Sequence, residues 1–130
     1  MTLSAFRGKS HVILAFYPAD WSGGCTREVC TLGDHFVALG ELSAEVIGIS
    51  GDYAYSHHAW AKHHDLPFRL AADHDHGVAK RYASYDAGSG MDRRTVYLVN
   101  RDGKIACVDL AYRAKDSASF DRLVLAIRAL

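Results

Sequence analysis

An apolar run, His11-Val12-Ile13-Leu14-Ala15-Phe16-Tyr17, stops abruptly at Pro18. The run reads as a buried strand. Pro18 cannot continue a central strand, and Asp20, Ser22, Gly23 and Gly24 are turn formers. From Cys25 to about Leu39 the residues suit a helix, with Val29, Leu32, Phe36, Val37 and Leu39 as its apolar members. A cysteine therefore falls where a strand ends, a Gly-rich turn follows and a helix starts. Free backbone N–H groups and the positive end of the helix dipole meet at that point. Both favour a thiolate, the reactive form of cysteine. Gly23 and Gly24 lack side chains, so their amides can approach an anion closely. The plain alternative is a turn followed by a buried core cysteine. It leaves the concurrence of Pro18, Ser22, Gly23-Gly24, Cys25 and Cys30 unexplained.

The remaining chain alternates legibly. Gly40 fits a helix C-cap. Val46 to Ser50 is a second short strand. Asp52 to His64 reads as a helix with Ala59, Trp60 and His63 on one side, ended by Asp65. Leu66-Pro67-Phe68 leads into an extended segment to Leu70, and a short helix is expected from His76 to Tyr82. Ser84 to Asp92 reads as a glycine-bearing loop. Thr95 to Asn100 and Lys104 to Leu110 flank Arg101-Asp102-Gly103, a hairpin signal. Asp116 or Ser117 can N-cap a last helix carrying Phe120, Leu123, Val124, Ile127 and Leu130. This order implies an α/β sandwich with a parallel portion and an antiparallel edge.

The 130 residues fit one domain, 1–130, with one core. Fifteen Lys and Arg balance fifteen Asp and Glu, so nothing argues for nucleic acid or an anionic membrane as partner. No apolar run approaches the roughly 20 residues that span a bilayer. No signal peptide precedes the first strand, which makes the cytoplasm the expected compartment. The three cysteines do not form a disulfide framework. Zinc would need two further ligands at suitable spacing, and Cys107 is alone. The eight histidines include His57, His58, His63 and His64 on one helix, then His74 and His76. No pair has the spacing of a helical zinc site, so they are expected to be solvated and no metal is expected. Trp60, Tyr82 and Tyr85 are expected as core or pocket-wall aromatics.

Pro18-x-x-x-Ser22-x-x-Cys25 resembles the P-x-x-x-(T/S)-x-x-C active-site motif of the peroxiredoxins. Cys25-x-x-x-x-Cys30 is similar to the spacing in the bacterioferritin-comigratory-protein/peroxiredoxin Q subgroup. The resemblance extends to Phe6-Arg7-Gly8-Lys9, to Arg94 in Arg94-Thr95-Val96-Tyr97-Leu98-Val99, and to Gly103-Lys104-Ile105. It implies a thioredoxin-like fold, a central mixed sheet flanked by helices, here without the N-terminal hairpin that relatives carry before Leu3. It implies a thiol peroxidase without metal or organic cofactor, acting on hydrogen peroxide or organic hydroperoxides. Cys25 would be the peroxidatic cysteine and Cys30 the resolving one, joined as an intramolecular disulfide that thioredoxin or a similar dithiol protein reduces. A monomer or weak homodimer is expected.

Cys25 would attack a peroxide oxygen and become a sulfenic acid. Pro18 would shield the site, Ser22 Oγ would bond the thiolate and the peroxide, and the amides near Gly24 would donate to it. Arg94 would supply a fixed positive charge. Glu28, one turn after Cys25, would either orient Arg94 or stand as a solvated helix carboxylate. The family usually has Pro where Gly23 stands, which should loosen the turn. Cys30 is open to a second reading as a core cysteine, and core packing is expected of Cys107. Two rivals use the same cysteine: a thiol–disulfide oxidoreductase, which normally carries Cys-x-x-Cys, and a peroxide-sensing redox relay.

Overall fold

The computed structural model describes residues 2–113 and 117–130. Its elements, in order, begin with a 3-10 turn at Leu3–Phe6, β1 (His11–Phe16), α1 (Gly23–Asp34), α2 (Phe36–Glu41) and β2 (Ala44–Ser50). Then come α3 (Ala54–His64), β3 (Arg69–Ala72), α4 (Gly77–Arg81), β4 (Tyr85–Asp86) and β5 (Met91–Asp92). β6 (Thr95–Val99), β7 (Ile105–Asp109) and α5 (Ser117–Arg128) complete the chain. Five strands form one mixed sheet in the order β3-β2-β1-β6-β7. β1 lies parallel to β2, with Leu14 opposite Ile47, and antiparallel to β6, with Leu14 opposite Tyr97. This is the expected mixed sheet flanked by helices.

β1 is central because it is apolar on both faces, and alternation sorts its side chains between two cores. Ile13, Ala15 and Tyr17 join Cys25, Val29, Leu32, Leu39, Trp60, Leu123 and Ile127 from the helices on one face. Val12, Leu14 and Phe16 join Ile47, Ile49, Tyr97 and Ala79 on the other, with Leu3, Phe6 and Tyr82 packed alongside. Cys107 lies half-buried against the first core. The strand that carries the Cys25 turn is thus clamped from both sides. Among the described residues no helix is long and apolar enough to cross a membrane.

Several boundaries depart from the sequence expectation. The helix expected over Cys25 to Leu39 starts at Gly23 and breaks at His35 (φ −100°, ψ 10°) into α1 and α2. Gly40 lies inside α2, and Leu42 is the C-cap. α3 begins at Ala54 rather than Asp52, because the backbone at its N-cap Tyr53 is extended (φ −72°, ψ 156°); the Asp52 carboxylate accepts from Ser50 Oγ and the Asp20 amide. Its buried stripe is His57 and Trp60, whereas Ala59 and His63 are exposed. The Ser84–Asp92 loop contains the short β4–β5 hairpin. Asp116, one of two candidate caps for α5, lies outside the described residues.

Candidate active site

The turn after β1 positions Cys25 through one capping residue. Ser22 is extended (φ −73°, ψ 146°) and N-caps α1, its Oγ accepting from the Cys25 amide at 3.2 Å. The same hydroxyl donates to the Ala19 carbonyl at 3.2 Å. Cys25 is therefore the third residue of α1, in the turn whose amides are otherwise unpaired. It has no exposed surface.

Arg94 stands just before β6, its carbonyl accepting from the Tyr112 amide at 3.0 Å. Its guanidinium lies directly against the Gly24 backbone: a Cβ on Gly24 would come within 2.5 Å of Nη2. Only glycine at position 24 admits the cation so close to the helix start. Arg94 and Pro18 also line one open cleft of about 470 Å3, together with Asp86, Met91, Arg93 and Tyr112. The structure thus gathers Ser22, Gly24, Cys25 and Arg94 at one point, with Pro18 on the cleft that Arg94 shares.

Glu28, one turn into α1, is wholly buried, so the solvated reading is wrong for this carboxylate. Arg94 faces it, Nη1 to Oε2 at 3.5 Å, too long for a good hydrogen bond. Burial pushes Glu28 up to about 8, with Arg94 pulling the other way. At neutral pH the carboxyl is mostly protonated and does not itself neutralise the Arg94 charge. Burial likewise raises the Tyr112 hydroxyl, and Glu28 adds to it.

Cys30 sits on the same intact helix, half-buried, and both thiols are free. Burial raises the Cys30 thiol above its ordinary value, and Asp34 adds to this. Five residues along a regular helix separate Cα atoms by about 8–9 Å, beyond disulfide reach of roughly 7 Å.

Sequence reasoning missed a buried polar network behind the turn. Asp20 Oδ1 accepts from Tyr17 OH at 2.7 Å, and Oδ2 accepts from Ser56 Oγ at 2.8 Å and His57 Nδ1 at 2.8 Å. The Asp20 amide donates to Asp52 Oδ2 at 2.7 Å. Burial works to raise the Asp20 carboxyl, but the bonds from His57, Tyr17 and Ser56 hold it below the usual range. The expectation of solvated histidines fails for His57, which is buried, and for His76, half-buried and paired with Asp92 at 2.7 Å. His58, His63 and His74 are exposed as expected. Asp20, Asp52 and His57 bring ligand-type atoms within 4.8 Å of one another. Both Asp20 oxygens already accept from protein donors, so the cluster is a closed hydrogen-bond network. The signal was the i, i+3 spacing of His57 and Trp60, which puts both on one helix face.

The AhpC/TSA family model matches residues 1–108. A chloroplastic peroxiredoxin Q of Sedum lineare is 38% identical over 109 residues, 83% of this chain and 58% of the relative. The Bacillus subtilis peroxiredoxin Bcp is 31% identical over 109 residues, 79% of this chain and 69% of the relative. The chain spans about half the length of most of these curated relatives. The crystal structure of peroxidoxin BcpB from Mycobacterium tuberculosis superposes with a TM-score of 0.88 at 26% identity, covering 98% of this chain and 84% of that one. Peroxiredoxin Q of Xanthomonas campestris shares the fold, with a TM-score of 0.89 at 21% identity over 99% of this chain and 84% of that one. With a strand, a capped turn and a helix placing Cys25 beside Arg94 in that shared fold, the chain belongs to the AhpC/TSA family, as a peroxiredoxin of the peroxiredoxin Q/Bcp kind.

Proposed function

We propose that the chain is a thiol peroxidase that reduces hydrogen peroxide and organic hydroperoxides through Cys25. The observation that carries this is Cys25 at the Ser22-capped start of α1, with the Arg94 guanidinium against Gly24. The Cys25 thiolate attacks one peroxide oxygen and the O–O bond breaks. Cys25 becomes a sulfenic acid, and the other oxygen leaves as water or an alcohol once protonated. The α1 amides and Arg94 stabilise negative charge as it moves from sulfur to the departing oxygen. Pro18 shields the thiol, and Ser22 holds Cys25 in place through the cap on its amide, its hydroxyl proton being given to the Ala19 carbonyl. No step calls on a metal or organic cofactor.

Cys30 resolves the sulfenic acid: its thiolate attacks the Cys25 sulfur, hydroxide leaves as water, and the Cys25–Cys30 disulfide forms. The first turns of α1 must open for this, because the regular helix holds the cysteines too far apart. A dithiol protein such as thioredoxin then takes up the disulfide, in the reducing environment of the cytoplasm, where the chain works as a monomer or weak homodimer within a single domain. Neither nucleic acid nor membrane takes part.

A thioredoxin-coupled peroxide assay of wild type and Cys30→Ser tests the reading. Wild type should turn over, form one internal disulfide by mass, and lose amide protection over residues 25–31 when oxidised. Cys30→Ser should form the sulfenic acid but lose coupled turnover and climb to the sulfinic state under excess peroxide. Full coupled activity in that variant would move the resolving role to Cys107 or another chain.

A further inference from the structure

The turn that carries Ser22 is strained, and the strain has an identifiable restraint. Trp21 stands at φ +69°, a left-handed conformation that a bulky residue rarely adopts. Its indole is half exposed, resting on His63 and His64 at ring-centroid distances of 5.5 and 6.4 Å. Ser22, the cap on the Cys25 amide, follows directly. Asp20, immediately before Trp21, is fixed at four points: by Tyr17 at the end of β1, by Ser56 and His57 on α3, and through its amide by Asp52.

His57 is the far end of this restraint. Its Nδ1 faces Asp20 Oδ2 at 2.8 Å, and its Nε2 faces the Ala71 carbonyl at 3.2 Å. A carboxylate and a carbonyl both accept, so both ring nitrogens donate only when the ring is an imidazolium. Tyr17 OH, 3.4 Å from Nδ1, directs its own proton to Asp20. The ring is 4% exposed, so its charge is compensated inside the protein, by Asp20. A buried ion pair stabilises a fold no better than apolar groups of similar volume. What it supplies is direction: bonds that fix where Asp20, and so the next two residues, must lie.

We propose that Asp20 and His57 are positioning residues for Cys25, a buried charge pair that holds the strained Trp21–Ser22 turn in register with the start of α1. The role rests on the peroxidase reading, because it acts through the geometry of Cys25 and Ser22 and touches no substrate. His57 also ties the turn to β3 through Ala71, so the restraint spans three elements.

Three variants and one native measurement decide it. In His57→Leu, of similar volume and without donors, oxidation of Cys25 by hydrogen peroxide in a single turnover should slow on the order of 10–100-fold. Exchange of the Cys25 amide, which Ser22 caps, should quicken. His57→Gln keeps a donor toward Asp20 and should recover most of both losses, which a space-filling role would not require. Asp20→Asn, near-isosteric, should slow oxidation in the same way as His57→Leu. Circular dichroism and a cooperative melt establish that each variant folds. In the native protein at pH 7, nitrogen NMR should show both His57 ring nitrogens protonated. A bare ring nitrogen there would overturn the charge pair whether or not any variant folds. A folded His57→Leu with wild-type oxidation rate and wild-type Cys25 amide protection would overturn the positioning role. Should wild type itself ignore peroxide, the peroxidase reading fails. The restraint is then judged by amide protection alone, with unchanged protection in His57→Leu overturning it.

Discussion

Two buried carboxylates flank Cys25 and are held in opposite states. Asp20, 6% exposed, accepts from three donors within 2.8 Å. Those bonds outweigh burial and keep it ionised. Among the described residues Glu28, fully buried, has neither oxygen in a good hydrogen bond, and Arg94 lies 3.5 Å away. Burial wins there and pushes it up to about 8. Neither carboxylate meets solvent, but Glu28 is the more deeply enclosed and the poorer in donors, and both differences push its carboxyl up. The division suits the site. An ionised Asp20 pins the turn from behind, while a protonated Glu28 does not itself neutralise the Arg94 charge at the helix start.

The two groups also pull stability in opposite pH directions. The folded Asp20 value is lowered from 3.8, so its contribution is complete above that and is lost as pH falls through the folded value. The folded Glu28 value is raised from 4.5 to about 8, so the folded state holds a proton that the unfolded state has lost. Stability from this group therefore falls as pH rises from 4.5 to about 8.

The comparison matters for function only if both groups serve Cys25. Cys25→Ser should abolish peroxide consumption, since a hydroxyl is not an available nucleophile near neutral pH. Residual turnover near wild type would leave the two carboxylates with nothing to flank. Asp20→Ala should be the most destabilising change in the site. It leaves the buried His57 Nδ1 without its acceptor, and if the two form the proposed charge pair, losing one partner costs about 3–5 kcal/mol. A urea midpoint unchanged from wild type would mean His57 is neutral.

Arg94→Ala tests the other flank. Loss of one preorganised donor to the developing charge should slow the peroxide step about 100–1,000-fold. Its effect on melting should be small, because the side chain is 36% exposed. Stopped-flow reaction with peroxide measures the first, and a thermal melt the second. A large melting loss with an unchanged rate would reverse the roles given to the two flanks.

The smallest effect should come from Glu28→Gln, which copies the protonated carboxyl. Near pH 6 its peroxide rate should match wild type, whereas its stability should match only below pH 4.5 and exceed wild type above it. The wild-type decline in stability between 4.5 and about 8 should flatten in the variant. That decline is worth up to about 1.4 kcal/mol per pH unit for one proton. Parallel pH–stability curves would show that Glu28 titrates normally and that the contrast with Asp20 is only one of position.

Much of the site was legible without coordinates. The stop at Pro18, the turn residues and Cys25 at a helix start all lie within eight residues and rest on local backbone preference. Ser22 was read as a partner of the thiolate, and the structure makes it the N-cap of α1. Arg94 came into view by resemblance, since a second arginine beside it carries the same charge. Gly24 was read as room for an anion, and the structure adds that the room also admits Arg94. The break at His35 was not legible, because the apolar positions continue through it from Leu32 to Leu39.

By itself, then, the sequence determined which backbone segments bend, where a thiol meets a helix N-terminus, and that β1 is apolar on both faces. Those properties depend on neighbours a few residues away. Only the tertiary structure decided that Asp20 is ionised and Glu28 is not, that His57 is buried, and that Asp52 holds the turn rather than capping α3. Charge state depends on desolvation and on which donors arrive. The donors to Asp20 from α3 stand 36 and 37 residues further along the chain. The sheet order that brings β1 beside β2 delivers them to the Cys25 turn.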